Sequence, residues 1–116
     1  MKKYLAVFLG SPAAMDAFRQ LPEAERKQRE TAGVAAWHKW VNDNQAAIAD
    51  MGSPLGKTKR VSREGIADTR NELGAWTVVQ AESQEAAAKL FENHPHFMIF
   101  PGDRIEVMEC LPIPGM

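Results

Sequence analysis

The sequence is short of cysteine, of charge of one sign and of long apolar runs, and each shortage removes a class of protein. Cys110 is the one cysteine among 116 residues, which excludes an intramolecular disulfide framework and a cysteine-rich zinc site and fits a reducing compartment. Only Glu109 and apolar residues adjoin it, so no base stands ready to activate the thiol, and Cys110 reads as a small buried packing residue. Fourteen Lys and Arg against fifteen Asp and Glu leave a formal charge of −1. So small a charge creates no field towards nucleic acid or anionic lipid, and neither is expected as a partner. The basic cluster of Lys57, Lys59, Arg60 and Arg63 lacks the aromatic residues of a single-strand-binding groove and reads as an exposed strand edge. No apolar stretch approaches the roughly 20 residues needed to cross a bilayer. The opening run from Met1 to Leu9 superficially suggests a signal peptide, but its apolar part is very short and Ser11-Pro12 starts a helix directly after it, so the expected location is cytoplasmic. No glycine-rich loop follows a strand in a way that would aim N–H groups at phosphate, and no cofactor is expected.

What is present suits one globular domain over residues 1–116, 45% hydrophobic and 25% charged, a length that can bury a single core. Lys3 to Leu9 combine aromatic, Val and Leu side chains ahead of Gly10, as a buried strand would. Ser11 offers an N-cap and Pro12 occupies the first helical position, where its missing N–H costs nothing. Leu21-Pro22 interrupts that helix. A second helix is predicted from Pro22 to about Asp50, with Glu23 and Glu25 in its first turn and an apolar stripe of Val34, Trp37, Val41 and Ile48 facing the sheet. The turn-rich Gly52 to Gly56 leads to a predicted strand at Lys57 to Ser62, then a polar connection to a strand at Trp76 to Ala81. Ser83 caps a further helix that ends near Asn93 and Pro95, and Arg104 to Cys110 reads as the last strand. The resulting order is β-α-β-β-α-β, an α+β fold with both helices on one face of a sheet. The other face needs a cover, and a symmetric dimer is the common solution.

Four stretches and the closing strand carry a resemblance to a known family. They are Lys3-Tyr4-Leu5-Ala6-Val7-Phe8, Trp37-His38-Lys39-Trp40, the Asp50 to Gly56 loop, and Ala81 to Ala86 leading into His94-Pro95, followed by Ile105 to Pro112. In order and spacing over nearly the whole length, the chain resembles the YCII-related family. The resemblance implies a ferredoxin-like fold assembled as a dimeric α/β barrel. It leaves activity open, because most members have no assigned reaction and a suspected His and Asp pair in some members is the usual reason for proposing an enzyme. The nearest match to that pair is His38 with Asp50.

Read from chemistry alone, an imidazole beside a carboxylate can serve as a general base near neutral pH. Twelve residues apart on one straight helix, His38 and Asp50 would lie about 18 Å apart, so the helix must end before Asp50 or a second copy must supply the partner. Trp37, Trp40 and Trp76 either pack the core or line a pocket for a flat ligand. His94 and His96, at a predicted helix end, lack a third ligand for a metal and read as capping or loop residues. The apolar Phe97-Met98-Ile99-Phe100 suggests a pocket mouth or a subunit interface. Three functions follow: a homodimeric barrel that binds a small organic molecule, a cofactor-independent enzyme in which His38, oriented by Asp50, moves a proton on such a molecule, or a purely structural or regulatory subunit whose sheet face is closed by dimerisation with no pocket left.

Overall fold

Strand β1 (Lys2–Leu9) forms the middle of the molecule because its side chains suit two different environments. Tyr4, Ala6 and Phe8 are buried on one face, whereas Leu5 and Val7 are half-buried on the other, the two-residue period of a strand with one face packed. In the computed structural model, which describes residues 1–116, β1 pairs antiparallel with β5 (Leu73–Ala81) on one side and β6 (Arg104–Glu109) on the other. Strand β2 (Ile48–Pro54) joins the free edge of β5, giving the order β2-β5-β1-β6. The expected α+β class and an antiparallel sheet are therefore present.

Helix α1 (Pro12–Arg19) starts as predicted, with Ser11 Oγ accepting from the Ala14 N–H at 3.1 Å and Pro12 at the first position. Helix α2 (Glu23–Asp43) carries acids in its first turn. Its outer surface is laced with pairs at four-residue spacing, such as Lys27 to Glu23 at 3.1 Å, each worth only a few tenths of a kcal/mol. Helix α3 (Gln84–Lys89) is capped by Ser83, whose Oγ accepts from the Ala86 N–H. A short helix, α4 (Pro95–Met98), follows. The core lies between the sheet and the helices, where Tyr4, Phe8, Val79 and Phe91 are joined by the half-buried Trp37 and Trp40.

Two predicted elements are corrected. Helix α2 stops at Asp43, because the backbone N–H and side-chain amide of Asn44 both donate to the Trp40 carbonyl and close the last turn. Ile48 therefore stands in β2 opposite Val79 rather than on the helix, and Asp50 stands in the same strand. The segment expected as the second sheet strand, Lys57 to Ser62, instead contributes β3 (Thr58–Ser62), which pairs only with β4 (Gly65–Thr69) in a separate two-stranded hairpin. The thiol of Cys110 is exposed rather than packed, since β6 ends at the residue before it. No helix is long and apolar enough to cross a membrane.

The β2 edge is irregular, with register shifts between Ile48 and Asp50 and between Asp50 and Ser53. Gly52 sits inside the second shift with φ +68°, and a Cβ there would run into the Trp76 carbonyl. Backbone sign and space both demand glycine. We expect Gly52→Ala to lower unfolding stability by about 2 kcal/mol or more, the cost of forcing a left-handed Ala plus the displacement of β5. Urea denaturation of the two proteins measures it; an unchanged midpoint would remove Gly52 from this role.

Candidate functional site

A cleft of about 1190 Å³ opens between α2, the β2–β5 edge and the base of the β3–β4 hairpin. Its deep wall is aromatic. Phe8 reaches it from β1, Trp37 from α2, and Phe100 from the segment after α4. The Trp37 ring centroid lies 5.1 Å from that of Phe8 and 6.0 Å from that of Phe100. Such spacings favour tilted aromatic packing and give the wall a rigid shape. Phe100 can approach α2 this closely because residue 33 is glycine: a Cβ there would enter the ring.

Beside this wall lie two histidines with opposite environments, held by one short helix. His94 is fully buried and caps α4: its Nδ1 accepts from the His96 N–H at 3.0 Å. The ring is packed edge-on between Trp37 at 4.5 Å and Trp40 at 4.7 Å, with Phe8 at 5.1 Å. Because Nδ1 accepts, Nε2 carries the proton, and that N–H has no hydrogen-bond partner. Burial, and secondarily the neighbouring His96, lower the His94 pKa to about 3. His94 is thus a capping residue, as the sequence suggested, and it caps as a neutral imidazole inside the core.

His96 is half-buried and lines the cleft. Its Nε2–H donates to two carbonyls, Leu9 at 2.8 Å and Arg104 at 3.1 Å, where the ends of β1 and β6 meet. Two acceptors at one nitrogen fix the tautomer and leave the Nδ1 lone pair free. Nδ1 has no protein partner, and it is not among the buried unpaired atoms, so it is accessible. Gly102 backs the ring, and any Cβ at that position would collide with it. Burial lowers the His96 pKa, opposed by the two carbonyl contacts and by Asp103.

The residues singled out from the sequence are distributed as follows. Trp37 lines the cleft. Trp40 does not: its indole N–H donates to the Leu90 carbonyl at 2.9 Å and its ring stacks on Phe91 at 5.1 Å. Trp76 borders the cleft at the bulged edge, from the strand position opposite Ser53. His38 is exposed on α2 and lines the cleft. Asp50 lies on β2 outside the cleft lining, and its Oδ1 accepts from the Gly52 N–H at 2.9 Å. No hydrogen bond joins His38 to Asp50. Sequence reasoning set His96 aside and did not single out Phe100 within its apolar segment. Pro95 after His94 carried the one available signal, an N-cap followed by proline that starts a helix. No group of three or more His, Cys, Asp and Glu is placed to hold a metal ion.

Neither a family model nor a curated protein sequence matches the chain. Among solved structures it is similar to 5-chloro-2-hydroxyhydroquinone dehydrochlorinase (TftG) from Burkholderia phenoliruptrix AC1100, in complex with 2,5-dihydroxybenzoquinone. The identity is 17%, the TM-score 0.53, and the match covers 90% of this chain and 89% of that one. At this identity the likeness concerns the fold.

The His94 environment makes stability depend on pH. Its folded pKa lies below the value of about 6.5 expected in the unfolded chain, so between the two the unfolded state binds more protons. Its contribution is fully present above about pH 6.5 and is lost as pH falls towards 3. Each pH unit across that window removes up to about 1.4 kcal/mol. Urea midpoints measured between pH 8 and 4 should fall steadily, and His94→Asn should start lower but fall less steeply. Parallel pH profiles for the two proteins would disprove the assignment.

Proposed function

We propose that the chain is a YCII-related protein, one domain with a ferredoxin-like fold, that works as a homodimeric α/β barrel and binds a small organic molecule in the cleft between sheet and helices. The observation that carries this reading is the cleft itself, aromatic on its deep wall and large enough for a one-ring ligand. The dehydrochlorinase of similar fold holds 2,5-dihydroxybenzoquinone, a flat oxygenated ring, and such a ring suits a wall built from Phe8, Trp37 and Phe100.

Dimerisation is supported by surface area. The chain exposes 8218 Å², whereas a compact monomer of this mass exposes about 6300 Å². The excess is more than twice the roughly 800 Å² per partner of a standard interface. The radius of gyration, 16.1 Å, likewise exceeds the roughly 13 Å of a compact chain of this length. Apolar side chains account for part of the excess, among them Met108 on the uncovered sheet face, Val61 and Ile66 on the hairpin, and Leu111 and Ile113 on the tail.

A second reading is a cofactor-independent enzyme that moves a proton on the bound molecule through His38 and Asp50. His38 at the cleft favours it; the engagement of Asp50 with Gly52 asks for a change at β2 before the two could meet.

Sedimentation equilibrium at micromolar concentration should give a dimer, and a monomer there would defeat the assembly. Titration with 2,5-dihydroxybenzoquinone should quench the tryptophan emission saturably. Trp37→Ala should weaken binding by at least about tenfold, the size expected for losing about 1.4 kcal/mol of aromatic contact. Binding unaffected by that change would take the ligand out of the cleft.

A further inference from the structure

Charged residues around the cleft do not follow the balance of the whole chain. Arg19, Lys57, Lys59 and Arg70 line it against Asp68 and Glu72, a surplus of two cations in a protein whose net charge is −1. Lys59 is paired with Asp68, and Glu72 with Arg104. Lys57 and Arg70 take part in none of the salt bridges. The site is therefore biased towards an anion. Its wall accepts a flat ring, and its best-ordered polar group is an imidazole with an open lone pair.

We propose that Nδ1 of His96 is the proton acceptor of the cleft, taking the hydroxyl proton of a flat phenolic or enolic ligand that stays bound as its anion. The inference rests on the reading of the cleft as a ligand site and adds the ligand's chemical class and the residue that meets it. In the step the ligand O–H bond breaks and its electron pair remains on oxygen. An N–H bond forms at Nδ1, and no other reactant is consumed. The imidazolium so formed has a partner at each nitrogen: Nε2–H keeps the Leu9 and Arg104 carbonyls, and Nδ1–H faces the new oxyanion. Those carbonyls have the orienting role that a carboxylate has in a catalytic triad. Burial of the ring opposes the cation, while the two carbonyls and the Asp103 carboxylate favour it. The Arg104 guanidinium is occupied by Glu72 and Glu106.

A competing role is mechanical. By joining the carbonyls of Leu9 and Arg104, His96 also clips the last rung of the β1–β6 ladder. A clip alone would alter stability when removed but would leave the ionisation of a ligand unchanged, and that difference decides between the roles.

The probe is 4-nitrophenol, whose anion has a visible absorption band that the neutral phenol lacks, added at a pH where it is mostly protonated in solution. The wild-type protein should bind it with appearance of the anion band. In His96→Gln, where an amide N–H can still reach the carbonyls, binding should stay within about tenfold while the bound anion fraction drops by at least about tenfold. Gly102→Ala keeps the histidine but displaces its ring, and should reduce the band in the same direction. Nitrogen NMR of the wild-type His96 should show Nδ1 unprotonated without the probe and protonated with it. Binding without the band, or a band that survives in His96→Gln, overturns the inference while leaving the cleft as a ligand site. No binding at all overturns the ligand-site reading, and the inference with it. If His96→Gln fails to fold, the NMR signal decides: Nδ1 unprotonated in the complex overturns it.

Discussion

The hydrogen bond from the His96 backbone to the His94 ring is the contact on which the rest of the site depends. It ties the first turn of α4 to a side chain wedged among Phe8, Trp37 and Trp40, which belong to the central strand and the long helix. A neutral ring is required there, since an imidazolium would carry its second N–H at Nδ1, the atom that accepts from the His96 N–H, and would bury a charge in an apolar enclosure. Once His94 is fixed, the backbone of His96 is fixed with it, and the His96 ring falls against Gly102 and the strand ends. One histidine is made structural by being sealed, so that its neighbour two residues on can face the cleft. The unpaired Nε2–H is the cost of that arrangement.

Much of the architecture was legible because it depends on local chemistry. Ser11-Pro12 and Ser83 mark helix starts through capping bonds that span three residues, and the alternation in β1 and the apolar strand at Trp76 to Ala81 report a half-buried sheet. Ile48 misled because it falls seven residues after Val41, a helical interval, while the helix is ended by Asn44, a polar residue that reads as tolerable in a helix until its amide is seen on the Trp40 carbonyl. Strand β2 was hidden for a related reason. Its glycine, bulges and proline look like loop chemistry, and only the partner β5 makes them a strand. Of the site, Trp37 could be named in advance from its place on an apolar stripe. The role of His96 could not, because it is created by carbonyls 87 and 8 residues away in sequence.

The charge distribution makes a related point about scale. A chain that is nearly neutral overall can still present a cleft with unpaired cations, because acids without an ion-pair partner, Glu64, Glu82 and Glu92 among them, lie outside it. Net charge speaks to long-range steering, whereas the occupant of a cleft meets only the residues within a screening length of about 10 Å.

The β3–β4 hairpin enters the chain where β2 and β5 are already neighbours, with the Leu55 N–H donating to the Gly74 carbonyl at the base. Two adjacent antiparallel strands need only a tight turn between them. The segment between is thus an insert into a joint that the sheet holds shut by itself, and its length enters the closure entropy only logarithmically. One wall of the cleft can be lengthened, shortened or recharged while the core and both histidines stay as they are. On this scaffold, the shape and charge of one cleft wall and the stability of the fold are coded in separate stretches of chain and are free to diverge at different rates.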